Sequence, residues 1–221
     1  MTSDALSWRD DDRNASARKP WDEGEPALEQ RATARFTLLI RTAKLISTSG
    51  EYLCVVRDVS SEGVKVRTFH QLPDGEDFAI ELASGERQPV DKVWEDGWVY
   101  GFHFAAPVPL ERLLAEAPDG MRKRPVRLHL ALPLQLHVEG RTIDSTFVDI
   151  SQHGACIECP EHLAINQRLR LTSDCLPELV GCVRWRRRPF YGLIFEQTFR
   201  FDELARLTAP HQSAEALRAT S

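Results

Sequence analysis

Between residues 36 and 104 apolar and polar positions alternate in short runs, with turn chemistry between them. The runs are Phe36–Ile46, Glu51–Asp58, Val64–Thr68, Phe78–Leu82, Pro89–Trp94 and Trp98–Phe104. The breaks fall at Thr48-Ser-Gly50, Ser60-Ser-Glu-Gly63, Pro73-Asp-Gly75, Ser84-Gly85 and Asp96-Gly97. Alternation puts one face of a strand in a core and the other in water, so short runs at this spacing predict an antiparallel sandwich or small barrel. Asp96-Gly97 between Val93-Trp94 and Trp98-Val99 is the clearest hairpin signal. A helix is predicted over Leu110–Ala117, with Leu110, Leu113 and Leu114 on one face, until Pro118-Asp-Gly120 breaks it.

The plan then repeats through Leu128–Val138, Thr142–Ile150, Ala155–Cys159, Arg168–Leu171, Leu179–Trp185 and Phe190–Phe195. Asp58, Ser60, Gly63, Trp94 and Gly101 recur at one constant offset as Asp149, Ser151, Gly154, Trp185 and Gly192. Such an internal repeat predicts a duplication. Its expected bounds are a disordered acidic leader over 1–28, a first domain over 29–118, a second over 119–200, and a short helix with a loose tail over 201–221. That last helix should carry Phe201, Leu204 and Leu207 on one side. Pro133 cannot donate to a sheet ladder, so its run is expected at an edge or a bulge. Trp94 and Trp185 are expected as anchors of the barrel cores.

Composition narrows the classes. The 221 residues are 42% hydrophobic and 28% charged, as in a globular chain. No apolar run reaches the roughly 18–20 residues of a membrane span, and the start lacks a basic-then-apolar signal, so a cytoplasmic protein is expected. Five cysteines, an odd number, are expected as reduced thiols. Cys156-Ile-Glu-Cys159 lacks a second such pair, and three apart on a strand its members point to opposite faces; this favours core and surface thiols over a zinc knuckle. Net charge is −5, with eight acids against four bases in residues 1–30, so a general nucleic-acid binder is disfavoured. Trp8 and Trp21, isolated in that leader, are read as packing partners. The histidines show no metal-ligand spacing, and neither a nucleophile elbow nor a Gly-rich phosphate loop is present. No enzyme, no cofactor and no metal site is expected.

Two motifs remain. Arg31 and Arg35 stand four positions apart before the first strand, and Asp58-Val-Ser60-Ser-Glu-Gly63 follows the second. Guanidinium forks bind phosphates or guanine O6/N7 bidentately and stack on bases, and a turn carboxylate takes protons from a base edge. A compact, flat polyanion is the ligand class such a set suits. Together with the late Gly101-Phe-His-Phe104 strand, these segments resemble the PilZ domain, and the downstream Lys123, Arg127, Asp149, Ser151 and Gly154 resemble a second, degenerate copy. The resemblance covers roughly residues 29–104 and 121–195. It implies two tandem six-stranded antiparallel β-barrels, all-β with short helical segments after each, that bind the bacterial second messenger cyclic di-GMP without catalysis. It further implies that Arg31, Arg35, Asp58, Ser60 and Gly63 hold the ligand, with Gly63 permitting either a positive φ or a close approach.

In the second copy Lys123 delivers a point charge where a guanidinium would fork, although Arg122 and Arg124 flank it, so binding there is expected to be weaker. Gln152 and His153 enlarge the polar surface of its turn. The leading expectation is a receptor that signals through ligand-induced ordering of the leader and altered contacts with a downstream protein. The alternative is a ligand-free adaptor acting through protein–protein contact. Trp185-Arg-Arg-Arg188 is either a solvated turn or a patch for phosphate or an acidic partner, since its counterpart in the first repeat is Glu95-Asp96.

Overall fold

The computed structural model describes residues 36–82, 85–114 and 125–212. The first barrel consists of β1 (Phe36–Ile46), β2 (Glu51–Val59), β3 (Gly63–Arg67), β4 (Phe78–Glu81), β5 (Arg87–Asp96) and β6 (Val99–Phe104). These close in the order β1-β2-β3-β6-β5-β4, with β4 returning antiparallel to β1. Closure leaves no strand edge to recruit another chain. β3 shows the expected alternation, burying Val64 and Val66 while Lys65 and Arg67 face water. Leu45, Val56, Ile80, Tyr100 and Phe102 fill the interior with them. Tyr100 meets its polar requirement there, its hydroxyl accepting from Leu72 N at 3.1 Å. Of the predicted helix, α1 (Leu110–Leu114) is described, and Leu113 is buried in this core.

The second barrel consists of β8 (Pro133–Val138), β9 (Arg141–Ser151), β10 (Gly154–Glu158), β11 (Arg168–Thr172), β12 (Leu179–Arg187) and β13 (Phe190–Phe195). The ring runs β10-β13-β12-β11-β8-β9 and closes by pairing of β9 with β10. The predicted run Leu128–Val138 is in fact two strands: a short β7 (Leu128–His129) pairs with the far end of β9 before β8 begins at Pro133. Proline has no N–H to give, so it opens a strand rather than continuing one. In the first barrel β1 stays continuous, but its register with β2 slips between Thr37 and Arg41. Both copies thus break at the same place by different means. Beyond β13, α2 (Phe201–Thr208) and a 3₁₀ turn (Ala209–His211) follow. α2 buries Leu204 and Ala205 in the second core, with Phe201 and Leu207 against it.

The two barrels meet through a buried polar cluster. Lys44 and Glu51 are 3% and 5% exposed, so their charges must be matched inside the protein. Lys44 Nζ donates to Glu51 Oε2 at 3.0 Å and to the carbonyl of Arg127 at 3.1 Å. Glu51 also accepts from His129 N at 2.8 Å and lies 2.9 Å from His129 Nδ1. Gln212 closes the cluster, accepting from Glu51 N at 2.9 Å and donating to the carbonyl of His129 at 3.3 Å. Apolar contact flanks it: Leu53 of β2 belongs to the second core, and Phe69 meets Phe201 edge-on at 5.9 Å between ring centres.

The hydrogen bond to Glu51 raises the pKa of His129 above 6.5, against the opposing effect of burial. Burial raises that of Glu51, but the side-chain and backbone hydrogen bonds from His129 outweigh it, with the charge of Lys44, and the net shift is downward. His129 therefore stabilises the junction fully below its unfolded pKa and loses that contribution as pH rises through the raised folded value. Glu51 contributes above its unfolded value and loses it as pH falls through the lowered folded one. Glu51→Ala, which leaves buried Lys44 with only the more distant Glu81 carboxylate and the Arg127 carbonyl, is expected to lower unfolding free energy by about 3 kcal/mol in urea titrations. His129→Gln should flatten the alkaline side of the stability-against-pH profile and, by removing the imidazole hydrogen bond that lowers the Glu51 pKa, also weaken the acid side.

Candidate functional site

The turn joining β2 to β3 is built by the motif itself. Ser60 Oγ accepts from Glu62 N at 3.3 Å and Gly63 N at 3.2 Å, and Ser60 N donates to the carbonyl of Gly63 at 2.9 Å. In the second copy Ser151 Oγ donates to the carbonyl of Gly154 at 3.0 Å. Both hydroxyls are buried and engaged in their turns. Of the two roles open to Gly63, close approach is the one observed. A Cβ there would lie 2.5 Å from the carbonyl oxygen of Phe102, and one on Gly154 would lie closer still to that of Leu193. Neither glycine has a positive φ. A hydrogen side chain is needed because a carbonyl of the paired strand, Phe102 on β6 or Leu193 on β13, stands against each glycine.

The aspartates sit where the ladders are irregular. The β2–β3 register shifts between Val56 and Asp58, and the β9–β10 register shifts across Phe147 and Asp149. A bulge re-aims a side chain. Asp149 Oδ1 accepts from Cys156 N at 3.1 Å and from Arg127 Nη1. Asp58 Oδ1 is buried and has no hydrogen-bond partner among the described residues. The two copies therefore present the same carboxylate in different states. Leu128 pairs with Ile150 as Phe36 pairs with Val59, so by sequence Arg127 is the counterpart of Arg35. Arg31, Arg35 and Lys123, which the motif assigns to the ligand, lie outside the described residues.

A contact the sequence did not announce is the amide of Cys156, a backbone donor that leaves no side-chain signal. Burial, then the negative charge of Asp149, push the Cys156 thiol up to about 11, against the effect of Arg127. This is a thiol kept protonated and unreactive at neutral pH. Cys159 is also buried and belongs to the second core, whereas Cys156, buried beside Asp149, does not. Among the described residues no cluster could hold a metal ion, and no helix is long and apolar enough to cross a membrane.

The tryptophans are not core anchors. Trp94 and Trp185 are 43% and 45% exposed. Register shifts just before each put them outside the barrels, opposite Gly101 and Gly192. Each indole covers its glycine so closely that a Cβ would collide with the ring, and Lys65 Nζ stands 5.6 Å from the Trp94 ring centre. The glycine makes a shelf on which the ring lies flat.

Gly154→Ala is expected to cost about 2–3 kcal/mol of stability, read as a lowered urea midpoint, because the methyl group meets backbone rather than a movable side chain. An unchanged midpoint would show that the strands can separate there without penalty.

Residues 121–209 match the family model described as the PilZ domain. Among solved structures the chain is similar to Borreliella burgdorferi PlzA in complex with c-di-GMP, at 12% identity over 79% of this chain and 88% of that one, with a TM-score of 0.32. It is similar to Bacillus subtilis inhibitor of motility (MotI/DgrA) at 15% identity over 84% and 98%, TM-score 0.33. It is also similar to Escherichia coli YcgR in complex with c-di-GMP, at 12% identity over 81% and 87%, TM-score 0.30. Scores this low carry no argument about a ligand. No curated protein matches the chain in sequence.

Proposed function

We propose, from the match of residues 121–209 to the PilZ domain model, that this chain is a cyclic di-GMP receptor whose first barrel is a second PilZ domain and the principal ligand site. Arg31 and Arg35 would take the guanine edges and phosphates, with Asp58 accepting from a base, while Ser60 and Gly63 shape the turn that presents it. The observation that supports this reading is the buried, unpartnered Asp58 Oδ1. A carboxylate oxygen withdrawn from water without a donor costs free energy that a ligand's N–H can offset. The protein is then an effector in the cytoplasm, carrying the messenger level to a downstream protein through ordering around the arginine motif and altered contacts, with modules spanning 29–118 and 119–200.

A specific contact favours a different role for the second barrel. Arg127 and Asp149, the counterparts of Arg35 and Asp58, are already paired with each other. A ligand at Lys123, Arg127, Asp149, Ser151 and Gly154 would have to break that ion pair first, so this barrel is a weak site and serves mainly as a contact surface.

Calorimetric titration of cyclic di-GMP into the full chain tests both statements. Arg35→Ala should weaken binding by 1–3 kcal/mol, roughly ten- to a hundredfold, as for loss of one bidentate arginine. Arg127→Ala should leave affinity within about threefold, the scale of an exposed ion pair. Absence of heat in the unaltered chain, matched by an orthogonal binding assay, would remove the receptor reading and leave the adaptor.

A further inference from the structure

The β5–β6 and β12–β13 hairpins occupy the same place in the two barrels, and both turn over two residues, Gly97-Trp98 and Arg188-Pro189. Their tips have diverged in charge to opposite extremes. The first carries Glu95 and Asp96 beside its turn, with Asp91 further along β5, Lys92 held by Asp74 and Glu95, and Lys65 over the Trp94 ring. The second carries Arg184, Arg186, Arg187 and Arg188 with no acid. All of these side chains are exposed.

Charge is only half of the match. Trp94 and Trp98 at the first tip are exposed, and so are Trp185 and Phe190 at the second. Trp94 and Trp185 are held flat on their glycine shelves, so each tip is a rigid aromatic platform edged by charge. Aromatic and arginine side chains together are what protein interfaces concentrate. A guanidinium pairs with a carboxylate and stacks on an indole in one approach.

Neither tip is satisfied among the described residues. Among the described residues none of the four arginines pairs with a carboxylate, and Arg186 bonds only His162 Nε2, at 2.6 Å. Asp91 and Asp96 likewise have no cationic partner there, while Glu95 is held by Lys92 and Gln71. No hydrogen bond or ion pair joins one tip to the other among these residues. The barrel junction, built from Lys44, Glu51, His129 and Gln212, uses neither of them.

We propose that the occupant of each tip is the other tip of a second copy of this chain, so that the acidic β5–β6 hairpin of one molecule docks on the basic β12–β13 hairpin of the next. The contact is heterologous, joining unlike surfaces, and each molecule keeps one tip of either kind to extend a row or close a ring. Two hairpin tips bury less than the roughly 1,200 Å² of a stable interface, so association is weak, concentration-dependent and sensitive to salt. The proposal stands on surface chemistry alone and does not depend on cyclic di-GMP binding.

Sedimentation equilibrium of the full chain at low salt tests it, with charge reversal at each tip. The unaltered chain should show a mean mass that rises with concentration and returns toward that of one chain at high salt. Glu95→Lys with Asp96→Lys makes both tips basic, and Arg184→Glu with Arg186→Glu and Arg187→Glu makes the basic tip acidic. Each should weaken self-association at least about tenfold, because like charges then face each other. An equimolar mixture of the two variants should associate again. Should either reversal fail its thermal melt, Asp96→Asn and Arg187→Gln take its place, with a roughly threefold weakening expected for one exposed charge. A single-chain mass at every concentration, self-association indifferent to these substitutions, or a mixture that stays monomeric would each overturn the proposal.

Discussion

Taking Lys44 and Glu51 out of water costs several kcal/mol per charge, and that cost is offset because Glu81, His129, Gln212 and the carbonyl of Arg127 converge on the pair. Arg127 lies just before β7, His129 within it and Gln212 just past the last helical turn, so the cluster is complete only when the second barrel is folded and docked. The geometry of the whole ordered body depends on this. The hydrogen bond from Lys44 to the Arg127 carbonyl also fixes the backbone at the residue whose side chain pairs with Asp149. The junction and the second barrel's motif are therefore mechanically joined.

Duplication has kept the scaffold and let the chemistry diverge. The features retained in both copies are those that strand crossing demands: a serine closing the turn, a glycine at backbone contact, and a tryptophan laid over a second glycine. What differs is charge. One aspartate oxygen is orphaned and its counterpart is paired; one hairpin tip is acidic and the other basic. Exposed charges are the least constrained by packing, so they separate first once two copies no longer need the same partner. The family match falls on the second barrel, whose arginine motif opens with Lys123. This fits a family recognised by its barrel framework as much as by its ligand-binding side chains.

Period-two alternation and turn chemistry determined the all-β class, the number of runs, the duplication and the motif positions, because each of these is a local property of the chain. Pairing order, barrel closure and the division of Leu128–Val138 at Pro133 needed the partner strand β9, which spans both pieces. The tryptophans were misassigned because an apolar residue in a strand reads as buried, whereas a register slip had turned them outward onto glycine. A lysine in a strand ordinarily faces solvent, and Lys44 is buried because Glu51 and Glu81 of its own barrel and the Arg127 carbonyl of the second meet its charge. The orphaned oxygen of Asp58 and the opposition of the two hairpin tips also belong to the tertiary structure alone, since burial and unmet pairing are relations between distant residues that no local pattern encodes.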